Sequence, residues 1–191
     1  MLQHILLIAA AYLMGSVSSA IIVCRIMGLP DPRGQGSGNP GATNVMRLGG
    51  KKAAAITLIG DILKGIIPVL VARALGASLE IQLLVALAAF IGHLYPIFFN
   101  FSGGKGIATA FGVLLALSWK VALGVGIVWF VIFKWKKISS LAGLSSAGSM
   151  PAIIWVIFHS PAFVLFGFAM SVLVFWRHRS NISKLLAGTE K

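Results

Sequence analysis

The residues best suited to chemistry lie in one polar stretch, Ser37-Gly38-Asn39-Pro40-Gly41-Ala42-Thr43-Asn44, with Arg47 close behind. Glycines let successive backbone N–H groups curl around an anion, and an arginine adds a bidentate fork to its oxygens. Ser37, Gly38, Asn39, Thr43, Asn44 and Arg47 therefore read as a phosphate cradle. The same residues suit a flexible interfacial loop whose cations only set topology, and taken alone the stretch leaves both readings open. Gly36-Ser37-Gly38-Asn39-Pro40-Gly41 also matches G-x-G-x-x-G, but no βαβ pattern surrounds it, which argues against a dinucleotide. A second turn, Ser102-Gly103-Gly104-Lys105-Gly106, isolates one lysine among glycines without the spacing of a Walker loop. Two basic, glycine-rich turns on one face suggest a shared anion, to which the following helix starts add their dipoles. A third cluster is Arg177-His178-Arg179-Ser180-Asn181. His178 and Asn181 share a helical face, whereas Arg177 and Arg179 read as membrane-edge anchors.

Other chemistries find no residues to carry them. The acidic side chains are Asp31, Asp61, Glu80 and Glu190, so there is neither a carboxylate pair for acid–base work nor a cluster at metal-ligand spacing. Neither a G-x-S-x-G elbow nor a histidine followed five residues later by aspartate occurs. The lone Cys24 precludes an intramolecular disulfide. What remains is a cationic, donor-rich mouth that can orient phosphates and stabilise developing negative charge, without an obvious base. Asp61 and Lys64 fall inside an apolar run at i,i+3 and are expected to pair, as a functional site or as a brace. His93 is expected to make a helix-packing hydrogen bond.

The elements that must position these residues are set by composition. Of 191 residues, 58% are hydrophobic and only 10% charged, with mean hydropathy +0.96. A soluble domain carries about 25% charged residues, so the solvent here is a bilayer. The net charge of +12 is split by long apolar runs, which excludes a nucleic-acid face and favours anionic lipid or phosphorylated substrates. Apolar segments at 2–23, 53–72, 81–101, 107–118, 121–133, 141–158 and 162–176 predict an all-α polytopic protein with seven transmembrane helices, some of them short, in one domain over 1–191. The first is read as a retained helix, because a cleavable leader needs a basic start. Splitting 107–133 into two helices puts nearly all Lys and Arg on one side, which places the N-terminus outside and the C-terminus in the cytosol. The glycine-rich stretch 25–52 is expected not to form a regular helix. Gly15/Ser19 and Ala88/Gly92 have small-xxx-small spacing for close helix packing.

Three segments resemble the bacterial membrane-integral glycerol-3-phosphate acyltransferases that use acyl phosphate as donor. They are 36–47, the run from Gly92-His93 through Phe98-Phe99-Asn100-Phe101-Ser102-Gly103-Gly104-Lys105-Gly106-Ile107-Ala108-Thr109, and Arg177-His178-Arg179-Ser180-Asn181-Ile182. The likeness runs over essentially the whole chain, including Gly60-Asp61-Ile62-Leu63-Lys64-Gly65. It implies a seven-span fold in the bacterial plasma (inner) membrane, with its active site facing the cytosol. The implied reaction moves a fatty acyl group from acyl phosphate to the 1-hydroxyl of sn-glycerol 3-phosphate, giving lysophosphatidic acid and phosphate. No cofactor, metal or nucleic acid is implied, the partners are the two substrates and membrane lipid, and a monomer is compatible. On this resemblance Ser37, the backbone of Gly38 and Asn39, and Arg47 hold a phosphate, with Thr43, Asn44, Gly103 and Gly104 lining the site. Lys105 neutralises charge growing on the donor, and His178 and Asn181 position glycerol 3-phosphate. The base is expected to be a substrate phosphate, with His178 as the alternative. A transporter of anionic solutes is the rival reading, disfavoured because the candidate ligands gather on one side.

Overall fold

The computed structural model describes residues 1–190, and every regular element among them is helical. The described residues form two compact units, one over 1–116 and one beginning at residue 117. In the first, α1 (Leu2–Gly15), α2 (Ser19–Ile26), α3 (Ala42–Ala74), α4 (Leu79–Leu94) and α5 (Ile107–Leu117) pack through α1 and α3 against α4, and α2 against α3. In the second, α6 (Trp119–Lys136) packs on α7 (Ser139–Phe158), α7 on α8 (Pro161–Arg177), and α8 meets α9 (Arg179–Leu186).

Large apolar side chains point outward from these helices: Val156 is 72% exposed and Leu165 68%. Water would penalise that surface and lipid does not. Three helices, Ala42–Ala74, Leu79–Phe99 and Ser139–Phe158, are long and apolar enough to cross a membrane, or up to five spans if each bent pair counts as one. Seven crossings are reached only when the short apolar α5 and the 18-residue α6 cross as well. Lys136 over Trp135 and Arg179 over Trp176, at 3.9 and 5.1 Å from the ring centroids, give the ends of α6 and α8 the aromatic–cation character of a membrane interface.

Two expectations need correction. The segment 2–23 is not one helix: α1 and α2 meet at a 42° bend across residues 16–18. The break frees the Val17 carbonyl, which accepts from the Lys64 ammonium at 2.8 Å, so a buried cation stabilises what the apolar pattern could not foretell. Nor is 25–52 wholly irregular, because α3 starts at Ala42 and carries Thr43, Asn44 and Arg47 on its first turns. Gly50, at φ 74° and ψ −170°, separates those turns from the apolar body of the helix. The predicted division of 107–133 does occur, with Ser118 accepting from the Val121 N–H at the start of α6.

Small residues set the helix separations. A β-carbon on Gly15 would overlap the Ala89 backbone, and one on Gly92 the backbone of Tyr12 and Ser16, so α1 and α4 touch main chain to main chain as the small-residue spacing predicts. Gly112 on α5 meets the Ile62 carbonyl in the same way. Gly112→Ala is therefore expected to destabilise the protein by about 1–3 kcal/mol through overpacking. A thermal melt in detergent measures this, and an unchanged Tm would mean that α3 and α5 are not in backbone contact. In the second unit serine hydroxyls bond both between and within helices. Ser171 Oγ on α8 donates to Ala147 O on α7 at 2.6 Å, whereas Ser146 Oγ bonds within its own helix.

Candidate active site

In the first unit the loop 27–41 is built around Asn44. This side chain is 1% exposed, accepts from the Ser37 N–H at 2.9 Å through Oδ1, and donates through Nδ2 to Pro32 O and Gln35 O, each at 2.9 Å. One carboxamide thus closes the turn that presents Ser37, whose side chain is exposed. Gly36 has φ +62° and its missing β-carbon would strike Asn44 Oδ1, so only glycine satisfies both backbone and packing there. The Gly38 N–H donates to Gln35 O and the Gly41 N–H to Asn39 O, at 3.0 and 2.9 Å. The expected curl of backbone amides around an anion is therefore largely committed to the loop itself. The loop works instead as a rigid mount for side chains: Ser37 and Thr43 exposed, Asn39 half-buried, and Arg47 exposed on the first turns of α3.

Asp31 and Arg33 stiffen the same loop. Arg33 Nη2 and Nε reach the Asp31 carboxylate at 2.6 and 3.0 Å, and the Arg33 N–H adds a bond of 2.9 Å. These hydrogen bonds hold the Asp31 carboxyl below, and the Arg33 guanidinium above, their ordinary ranges. Arg33 Nη1 also reaches Phe99 O at 3.5 Å, tying the first loop to the chain leaving α4.

The second turn, 102–106, sits against α4. Gly103 and Gly104 are buried, Lys105 is half-buried between them and Gly106, and the Gly104 N–H donates to His93 O at 3.2 Å. A β-carbon on Gly104 would lie 3.2 Å from Pro40 O, so the two glycine-rich turns are neighbours, as their shared charge and composition predict.

The second unit holds His178 and Asn181, both buried. His178 caps α9, and its Nδ1 lies 2.8 Å from Val174 O; a carbonyl only accepts, so Nδ1 carries a proton in this contact. Asn181 Nδ2 donates to Glu190 Oε1 at 2.5 Å, and Ser140 Oγ donates to the same oxygen at 2.6 Å. Glu190 thereby pins the chain end to α7 and orients the Asn181 amide.

Sequence reasoning missed the parts played by Asp31, Arg33 and Glu190, and cast Asn44 as a substrate ligand where its side chain organises the loop. An acid two residues before an arginine was a visible signal for the first pair. Nothing local foretold that Glu190 would reach Asn181 and Ser140.

These features describe an all-helical membrane protein with clustered glycine-rich, basic turns. The glycerol-3-phosphate acyltransferase family model matches residues 5–188. Proteins named glycerol-3-phosphate acyltransferase from Thioalkalivibrio sulfidiphilus and Hydrogenovibrio crunogenus are 52% and 54% identical over 184 residues, covering 96% of this chain and 91% and 88% of theirs. Crystal structures of PlsY (YgiH), an integral membrane glycerol 3-phosphate acyltransferase, superpose with TM-scores of 0.94 in the glycerol 3-phosphate form and 0.92 in the lysophosphatidic acid form. They are 39% and 38% identical, covering 99% of this chain and 94% of each PlsY chain. The chain belongs to the glycerol-3-phosphate acyltransferase family.

Proposed function

We propose that this protein acylates the 1-hydroxyl of sn-glycerol 3-phosphate with a fatty acyl group taken from acyl phosphate, giving lysophosphatidic acid and inorganic phosphate. The observation that carries the reading is its match, over 99% of the chain, to PlsY in a glycerol 3-phosphate form and a lysophosphatidic acid form. The donor is the one the family resemblance implies, and the residues suit it. A mixed anhydride is already activated, so a site with cations and hydroxyls but no nucleophile signature suffices. The glycerol hydroxyl attacks the acyl carbonyl, the carbon–oxygen bond to phosphate breaks, and the hydroxyl proton passes to a substrate phosphate. Ser37 and Arg47 hold a phosphate, with Gly38, Asn39, Thr43, Gly103 and Gly104 shaping the site, and Lys105 opposes charge growing on the departing phosphate. His178 and Asn181 position glycerol 3-phosphate. The reading places the protein in the bacterial inner membrane with seven crossings, these turns facing the cytosol, where glycerol 3-phosphate is dissolved, while the acyl chain of the donor stays in the apolar phase.

Purified protein in detergent, given radiolabelled glycerol 3-phosphate, should move label into lipid with acyl phosphate and not with acyl-CoA or acyl carrier protein. Transfer from acyl-CoA alone would overturn the donor, and labelled solute accumulating unchanged in sealed vesicles would make the protein a transporter. His178→Ala that bound glycerol 3-phosphate normally yet lost the chemical step would make His178 the base. Asn44→Ala strands the Ser37 N–H and two carbonyls, and is expected to lower kcat/KM about 100-fold, the loss typical of a reacting group misplaced by about 1 Å. Asn44→Asp keeps the acceptor for Ser37 and should fall between. Equal activity in all three proteins would sever Asn44 from the placement of Ser37.

A further inference from the structure

Asp61, Lys64 and His93 form a buried charged cluster, each at 6% exposure or less, that the proposed reaction does not use. Lys64 Nζ lies 2.9 Å from Asp61 Oδ1, and His93 Nδ1 faces the same oxygen at 3.6 Å. The cluster is anchored on several helices. Lys64 also donates to Val17 O at the bend between α1 and α2, and Thr109 Oγ1 on α5 donates to Asp61 O at 3.0 Å.

From the other side, His93 is the surface on which the second glycine-rich turn rests. Its carbonyl accepts from the Gly104 N–H. A β-carbon on Gly104 would overlap His93 Nε2, and one on Gly103 the carbonyls of His93 and Leu94, so backbone and imidazole are in direct contact. Lys105 is the next residue. Charges within a membrane are expensive to keep and mark functional positions, and here they terminate against the turn that carries the lysine.

We infer that His93, seated by the Asp61–Lys64 pair, is a positioning residue that fixes the 102–106 turn and so sets where the Lys105 ammonium meets the departing phosphate. In this role His93 acts through Gly104, whose N–H donates to its carbonyl. The inference rests on the proposed role of Lys105, and it is tested with whichever acyl donor the wild-type protein accepts. Absence of any acyl transfer by wild type would sink the proposed function, whereas the outcomes below concern His93 alone.

The experiment measures kcat and KM of His93→Ala, Lys105→Ala and the double variant in detergent, with Tm for each. His93→Ala should lower kcat about 100-fold, with KM for both substrates within about threefold, because the lysine acts on charge that develops after binding. Added to Lys105→Ala it should cost almost nothing more, since two residues acting through one contact are not additive. Losses that multiply in the double variant, or a His93→Ala enzyme with near wild-type kcat, would overturn the assignment. Should His93→Ala fail to fold, Gly104→Ala retains the side chains of Asp61, Lys64 and His93 and forces a methyl against Nε2. The same drop in kcat, again without effect on top of Lys105→Ala, supports the contact, and full activity refutes it.

Discussion

Lys105→Ala is expected to lower kcat by about 100- to 1000-fold, the range lost when a preorganised donor to a developing anion is removed, with little change in KM for glycerol 3-phosphate. The reason is where the charge appears. In the proposed reaction acyl phosphate arrives already anionic, and its leaving oxygen gains further charge as the bond to the acyl carbon breaks. In that proposal the Lys105 ammonium, half-buried among glycines, would meet that charge without reorganising. Lys105→Arg keeps the charge on a longer, planar group and should recover only part of the rate. Initial rates at saturating acyl phosphate measure both variants. Undiminished turnover in Lys105→Ala would remove the lysine from the transition state and leave Arg47 as the principal cation.

Lys64→Met has the largest expected effect on stability. It matches the volume of the lysine but strands the Asp61 carboxylate in the helix interior and removes the donor to Val17 O at the α1–α2 bend. Breaking a buried pair in this way costs about 3–5 kcal/mol, which for a chain of this size lowers Tm by about 6–20 °C. Asp61→Asn added to Lys64→Met removes the stranded charge and should restore most of the loss, since replacing a whole buried pair is often close to neutral. Thermal unfolding in one detergent tests all three proteins. If the double variant is no more stable than Lys64→Met, the loss stems from the freed Val17 carbonyl rather than from the charge.

The residue types alone settled the medium, the helical class and the chemistry on offer: apolar runs without charge demand lipid, and glycine with Ser37, Arg47 and Lys105 offers little but anion handling. They also indicated the break at Ser118, through the distribution of Lys and Arg along the whole chain, and the pairing of Asp61 with Lys64, which is local in sequence. Tertiary contact decided the rest. The bend after Gly15 depends on an ammonium 47 positions away. Asn44 became the centre of its loop because Pro32, Gln35 and Ser37 close on it, using amides that a linear reading leaves to a phosphate. Glu190 reaches Asn181 and Ser140 only once the chain end folds back on α7. A sequence states which polar groups a buried segment holds; which partner satisfies each one is a matter of distance in space, and that is settled only when the helices pack.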